Sequence, residues 1–291
     1  MNWARKSLLP IATVLLVIIV LWYAFAVVLN SNWAYDKAKR AGKDLSFTEM
    51  VADTWSQKKP KLPTPVQIGK EIYKTTILKK VTSKRSLIYH ARITLEATMA
   101  GFGLGVVFGI TLAIAIVLSR VMDLSVMPWI ITSQTIPILA IAPMVIVVLN
   151  SVGVRGLLPK AIIAMYLSFF PVVVGMVKGL RSPDKMQLDL MRTYNASSAS
   201  IFWKLRWPSS IPYLFTSLKI AIAAALVGTI VGELPTGAIA GLGARLLSGS
   251  YYGQTIQIWS SLFMAAGLAA VLVAIVGATD TLVRKRMGFR T

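Results

Sequence analysis

The 291-residue sequence contains no cysteine and a single histidine, His90. The first absence excludes disulfides, thiolate-held metals and cysteine nucleophiles. The second leaves too little imidazole for a histidine-ligated zinc centre or a histidine-based triad. Acids are scarce as well: Asp and Glu number 11 against 31 Lys and Arg, a formal charge of +20, and charged residues make up only 14% of the chain, where a soluble protein would carry about a quarter. No H-E-x-x-H motif, no paired-carboxylate spacing and no G-x-x-x-x-G-K-[ST] phosphate loop occurs. What is present is apolar. Hydrophobic residues make up 56% of the chain and the mean hydropathy is +0.68. Several apolar runs approach the roughly 20 residues with which a helix crosses the hydrocarbon core. The basic residues lie between these runs and form no domain of their own, so a pI near 10.4 does not point to nucleic acid. The chain reads as an all-α polytopic membrane protein.

Six spans are expected, at about residues 8–29, 87–119, 127–149, 158–177, 211–232 and 258–283. Ala24 and Ala26 form an A-x-A-like pair in the first, but its apolar run exceeds the length of a signal h-region, so it is expected to be an uncleaved anchor. In the second, Gly101, Gly103, Gly105 and Gly109 offer small surfaces for close helix packing. The third carries Pro128, Pro137 and Pro143, each of which removes a backbone donor and should kink the helix. Freed carbonyls at membrane depth are tolerated where they face protein or a wet cavity, which marks Pro137 and Pro143 as candidate pathway positions. Residues 233–257, with Gly237, Gly241, Gly243, Gly249 and Gly253, read as a compact, partly re-entrant loop.

An even number of spans puts both termini on one side. With the termini inside, thirteen basic residues fall on the cytoplasmic face, from Arg5 and Lys6 to Arg284, Lys285, Arg286 and Arg290; the outer loop 31–86 also holds thirteen, against five acids. At 56 residues that loop is near the length at which the positive-inside rule weakens, so the termini are expected in the cytoplasm and the basic outer loop is left unexplained. Within it, Phe47, Met50, Val51 and Trp55 make a helical stripe.

The most informative polar stretch lies between spans four and five. Ser182, Pro183 and Asp184 read as a helix start, with Ser182 as the cap. Met186, Leu190, Met191 and Tyr194 come next at spacings of three and four, and Asn195 stands where a left-handed residue can end the helix. Ser197 or Ser198 can cap a second short helix with Ile201, Phe202 and Leu205, which Pro208 should close.

These residues resemble the permeases of binding-protein-dependent ABC importers, whose cytoplasmic motif has the form E-A-A, three residues, G, nine residues, I-x-L-P. Asp189, Leu190 and Met191 stand at E-A-A, Asn195 at the G, and Leu205, Trp207 and Pro208 at I, L and P. Asp for Glu keeps the acid and Asn for Gly keeps the turn, whereas Leu190 and Met191 depart from the two alanines. The stretch from Ile211 to Leu234, with Lys219 and Glu233, and the upstream LPTPVQIGKEI resemble the nitrate, sulfonate and taurine branch; the similarity covers about residues 62–287.

The resemblance implies a type I ABC importer permease fold: six transmembrane helices with a cytoplasmic coupling segment between helices four and five. It divides the chain into an anchor (1–30), a basic extracytoplasmic loop (31–86), a permease core (87–283) containing the coupling segment 182–208, and a basic cytoplasmic tail (284–291). It assigns contact with a separate ATPase to Asp189, Tyr194, Asn195, Ala196, Leu205 and Pro208. The implied partners are ATP-binding cassette subunits carrying ATP and Mg, a second permease subunit expected to be a copy of this chain, and an extracytoplasmic solute-binding protein. No cofactor, catalytic residue or metal is expected on this chain itself. The substrate would be a small solute of the sulfonate, taurine and nitrate or pyrimidine and vitamin-precursor classes.

Charges at membrane depth need partners. Lys219, inside span five, is expected to snorkel or pair, with a substrate contact in the pathway as the alternative, and Glu233 is expected to form a gate or an ion pair with Arg245. Arg92 and Glu96 can pair at i, i+4. A membrane-embedded enzyme and a stand-alone secondary transporter are the competing classes. The scarcity of catalytic side chains opposes the first, and the lack of obvious inverted repeats opposes the second.

Overall fold

The computed structural model describes residues 2–42, 44–235 and 240–288; Lys43, Gly237 and Arg290 lie outside the described residues. Helices α1 (Asn2–Arg40), α4 (Leu87–Leu118), α7 (Leu157–Leu180), α10 (Trp207–Glu233) and α12 (Thr255–Arg286) are long and apolar enough to cross a membrane. Between them stand α2 (Phe47–Ser56), α3 (Pro65–Thr76), α5 (Arg120–Ser133), α6 (Ile138–Ser151), α8 (Lys185–Thr193), α9 (Ser198–Ile201) and α11 (Leu242–Tyr251), with one π-helical turn at Phe202–Arg206. No strand occurs among the described residues. The chain divides into two units, residues 1–89 with 245–264 and residues 90–244 with 265–291.

In the first unit, α1 continues eleven residues past the expected end of the first span, so the loop 31–86 begins as helix. Asn30, 1% exposed, organises the chain around Thr54 and Lys61–Leu62. Its carboxamide oxygen accepts the Lys61 and Leu62 amides at 2.7 and 3.2 Å, and its nitrogen donates to the Thr54 and Leu62 carbonyls. Four orphan backbone groups are thereby satisfied by one side chain. Trp22 sits edge-on to Trp259 with centroids 4.8 Å apart, and its Nε1 donates to the Pro63 carbonyl. The stripe at Phe47–Trp55 does form a helix, α2, capped by Ser46 with Glu49 returning to the Ser46 amide. Proline supplies the first turn of α3, whose cap is Thr64.

The second unit is built on close approach. Gly101, Gly105 and Gly109 recur every four residues on α4 and press on α7: a Cβ on each would come within 2.4 Å of Ala164, 2.1 Å of Ser168 and 2.8 Å of Val172. Gly103 points the other way and meets nothing within 4 Å, so three of the four expected packing glycines serve that contact. Gly175 and Gly179 do the same for α7 against Ser217 and Ser210 of α10. In a bilayer, where lipid is as apolar as leucine, such small-residue contacts carry helix association. The core they close contains Ile116, Ile130, Val172, Met176, Leu180, Phe202 and Leu214.

The third expected span is not one kinked helix. It breaks between Ser133 and Ile138 into α5 and α6, bent by 99°. Pro128 and Pro143 stay inside the two helices, while Pro137 caps the second. Its fixed φ and missing N–H end one helix and start the next, and the Tyr166 hydroxyl donates to the Ser133 carbonyl freed at the break. Asp123 near the start of α5 pairs with Arg181 beyond the C-terminal end of α7 at 2.9 Å. Ile146 and Asn150 of α6 share a cavity with Leu157 and Lys160 at the N-terminal end of α7. The bent pair therefore runs from one end of α7 to the other, and counted as one broken span it brings the span candidates to six.

Candidate functional site

The 182–208 segment starts where α7 ends. Its first helix begins at Lys185, two residues later than expected, because Asp184 and not Ser182 is the cap: Gln187 Oε1 accepts the Asp184 amide at 3.2 Å in a capping box. Ser182 instead turns its hydroxyl back onto the Gly179 carbonyl. Asn195 ends the helix with φ +52°, the one positive-φ non-glycine residue among the described residues, and the Ala196 amide bonds back to Met191. Ser197 then caps α9 by accepting the Ser200 amide.

Pro208 does not close this second helix. The Trp207 amide bonds to the Phe202 carbonyl, five residues back, making a π turn that lets Pro208 sit in the first turn of α10 without a missing bond. Helix runs from Ser198 through Glu233 as one span candidate. Phe202 is buried in the unit's core, in one cluster with residues of α7 and α10.

The outward face of α8 is unusual. Met186, Leu190 and Tyr194, four residues apart, are 82%, 57% and 78% exposed, and Trp203 is 62% exposed. Lys185, Asp189 and Arg192 lie between them, Asp189 paired with Arg192 at 3.3 Å, so this apolar row belongs to a polar helix outside every span candidate. Leu205 and Pro208 are half-buried; Asp189 and Asn195 are exposed and Ala196 is partly covered.

Glu233 occupies the opposite kind of place. It is fully buried at the C-terminus of α10. Its carboxylate accepts the Thr94 hydroxyl at 2.9 Å, the Gly243 amide at 2.9 Å and Lys160 Nζ at 3.4 Å. Its ion partner is Lys160, not Arg245; Arg245 faces Glu71 at 4.0 Å. The same Thr94 oxygen accepts the Leu242 amide, and His90 Nδ1 accepts the Gly241 amide at 3.1 Å. Gly241, at φ +133°, leaves no room for a side chain: a Cβ would stand 2.1 Å from the Glu233 carboxyl carbon. The glycine-rich stretch after α10 is therefore tied down at its far end and continues as helix α11.

Lys219 is paired, as a charge at that depth requires. Its Nζ is 2.7 Å from Asp280, which also accepts Arg284, and Arg284 donates to the Pro212 carbonyl at 3.2 Å. Sequence reasoning missed Lys160, Thr94 and Asp280 as partners. One signal was available for Asp280: it is the sole acid of α12. Arg92 and Glu96 form the expected i, i+4 pair at 2.8 Å.

Two cavities flank α7. One of about 710 Å³ lies between α7, α10 and the end of α12, lined by Gln134, Phe170, Lys178, Tyr213, Thr216 and Arg284. The other, about 510 Å³, lies at the opposite end, lined by Ile93, Asn150, Arg155, Lys160 and Gly232. Pro137, Pro143, Lys219 and Glu233 line neither; Lys160, the partner of Glu233, lines the second, and Arg284, which shares Asp280 with Lys219, lines the first.

Residues 105–289 match the family described as binding-protein-dependent transport system inner membrane component, and the chain belongs to that family. A Haemophilus influenzae protein named "Probable ABC transporter permease protein" is 27% identical over 78% of this chain and 88% of its own length. The formylaminopyrimidine transport permease protein of Halalkalibacterium halodurans is 31% identical over 62% of this chain and 68% of its own. The nitrate import permease protein of Leptolyngbya laminosa is 23% identical over 73% and 76%. The chain is thus a multi-pass inner-membrane permease subunit of a binding-protein-dependent ABC importer, of the nitrate and sulfonate branch and with the type I fold. Permeases of this class work with ATPase subunits and a substrate-binding protein.

Proposed function

We propose that this subunit forms half of a solute pathway with a second copy of itself, and that α8 is the helix by which ATP-binding subunits drive it. The observation that carries this reading is the row Met186, Leu190 and Tyr194. Each such side chain gains about 1.5–3 kcal/mol on full burial, and nothing among the described residues covers them. An exposed apolar row on a charged helix is the mark of a docking face. The docked partner carries ATP and Mg; this chain binds neither and performs no catalysis. Docking force enters through α8, passes the left-handed joint at Asn195, and reaches α10 through the π turn and buried Phe202. The Asp123–Arg181 pair fixes the base of the segment while the rest moves.

In this reading α8 and both termini face the cytoplasm, and the solute-binding protein delivers substrate at the end of the bundle marked by Glu233. Asp189 contacts the ATPase; Pro137 and Pro143 shape the pathway through the α5–α6 break, and Lys219 and Glu233 brace it. The substrate is a small solute of the nitrate, sulfonate and taurine or pyrimidine and vitamin-precursor type, supported by the names of the relatives alone. Asp189→Lys tests the coupling: the variant should insert normally and lose solute-stimulated ATP hydrolysis by the reconstituted importer. Wild-type stimulation would reject the role.

A further inference from the structure

The basic loop has a part that this function does not use. The inward face of α3 is settled: Ile68 and Thr75 are buried, and Glu71 faces Arg245. Its outward face, and the turns after it, expose Val66, Tyr73, Ile77, Leu78 and Val81, each 50–66% accessible. Between these lie Lys70, Lys74, Lys79, Lys80, Lys84 and Arg85, with Glu71 the only acid from 65 to 86 and already engaged. The chain then turns tightly, Ser83 onto Lys80 and Ser86 onto Ser83, and enters the α4 span at Leu87.

We propose that residues 66–85 form an interfacial anchor that lies on the membrane surface and selects anionic phospholipid headgroups. Three observations converge. The exposed side chains are aliphatic or aromatic and cationic, the pair of chemistries that acyl chains and lipid phosphates satisfy together. Lysine stems beside apolar neighbours can carry their ammonium groups up to phosphate level. The segment is also held at the bilayer by the span it feeds, within the short range over which headgroup charge acts. A protein partner would be expected to meet a mixed-sign surface; here the net charge of the exposed face is wholly positive.

The absence of cysteine gives a clean test. Leu78→Cys, labelled with an environment-sensitive dye in the full-length chain, is reconstituted in phosphatidylcholine vesicles with and without phosphatidylglycerol. Quenching by spin-labelled lipid should rise at least about twofold with phosphatidylglycerol, and added salt should reverse the rise. Lys70, Lys74, Lys79 and Lys80 changed together to Gln should remove the dependence while the label stays in contact with lipid. If that variant fails to insert, the salt titration of the Leu78→Cys chain decides alone. Quenching by aqueous iodide regardless of lipid overturns the proposal, as does lipid quenching that ignores headgroup charge. Protection that appears only on adding the solute-binding protein overturns it in favour of a protein contact.

Discussion

Glu233 and the α8 row stand at the two extremes of how this chain treats chemistry. Around Glu233 every polar atom of the carboxylate is answered from within: a hydroxyl, a backbone amide and an ammonium converge on a group with no exposure. Around α8 the polar groups are solvated and the apolar ones are bare. Both places use a residue with positive φ to make a turn, Gly241 in one and Asn195 in the other. The difference lies in what the turn presents. Gly241 presents space, so that a carboxylate can be sealed; Asn195 ends a helix whose apolar face is left exposed. A sealed ion pair is evidence of an internal brace, and an open apolar row is evidence of a missing partner.

Breaking the sealed side should have the largest effect on the fold. Glu233→Ala leaves Lys160, whose side chain is only 13% exposed, without its counter-ion, and removing one partner of a buried pair costs up to about 3–5 kcal/mol. A clear drop in thermal midpoint in detergent is expected, with Glu233→Gln milder because it keeps acceptors for Thr94 and Gly243. Equal effects of the two substitutions would mean that the retained acceptors contribute nothing and that the lost charge alone braces the site. Next in size is the α4–α7 contact. Gly101→Leu overpacks against Ala164 and should cost about 1–3 kcal/mol. Gly103→Leu, which meets open space, should stay within about 0.5 kcal/mol. Similar losses for both would contradict the assigned packing face.

The smallest effect concerns Asp53 in the first unit, whose carboxyl is held below the usual carboxylate range chiefly by the hydrogen bond from Lys37, 2.7 Å away. A depressed carboxylate contributes stability above its unfolded pKa and loses it as pH falls through the folded value. Lys37→Gln should therefore lower stability at neutral pH and do nothing once Asp53 is protonated. The difference should be under about 0.5 kcal/mol, because Lys37 is 59% exposed. No pH dependence of the variant's effect would show that the pair contributes nothing.

These contrasts also mark what the sequence could and could not disclose. Apolar length placed the spans, and Asn195 and Ser197 announced the joint and the second cap of the 182–208 segment, because those signals are local. The third span misled because three prolines spread over one run look alike in sequence; only Pro137 falls at the break, where the Tyr166 hydroxyl of another helix donates to the freed carbonyl. Pro208 misled because a π turn, which no residue type announces, absorbed its missing donor. The partners of Glu233 were out of reach for another reason. Thr94 and Lys160 lie 139 and 73 positions away in sequence, and nothing local reports such separations.

The central claim is that the α8 row is a docking face and not part of the fold. Met186, Leu190 and Tyr194 changed together to Ser should be tested by co-purification with the cognate ATPase subunits, with thermal stability measured on the same sample. A variant as stable as the parent that retains no ATPase is the predicted result. A variant that keeps its ATPase, or one that unfolds before docking can be measured, would place these side chains in the fold itself and contradict the account.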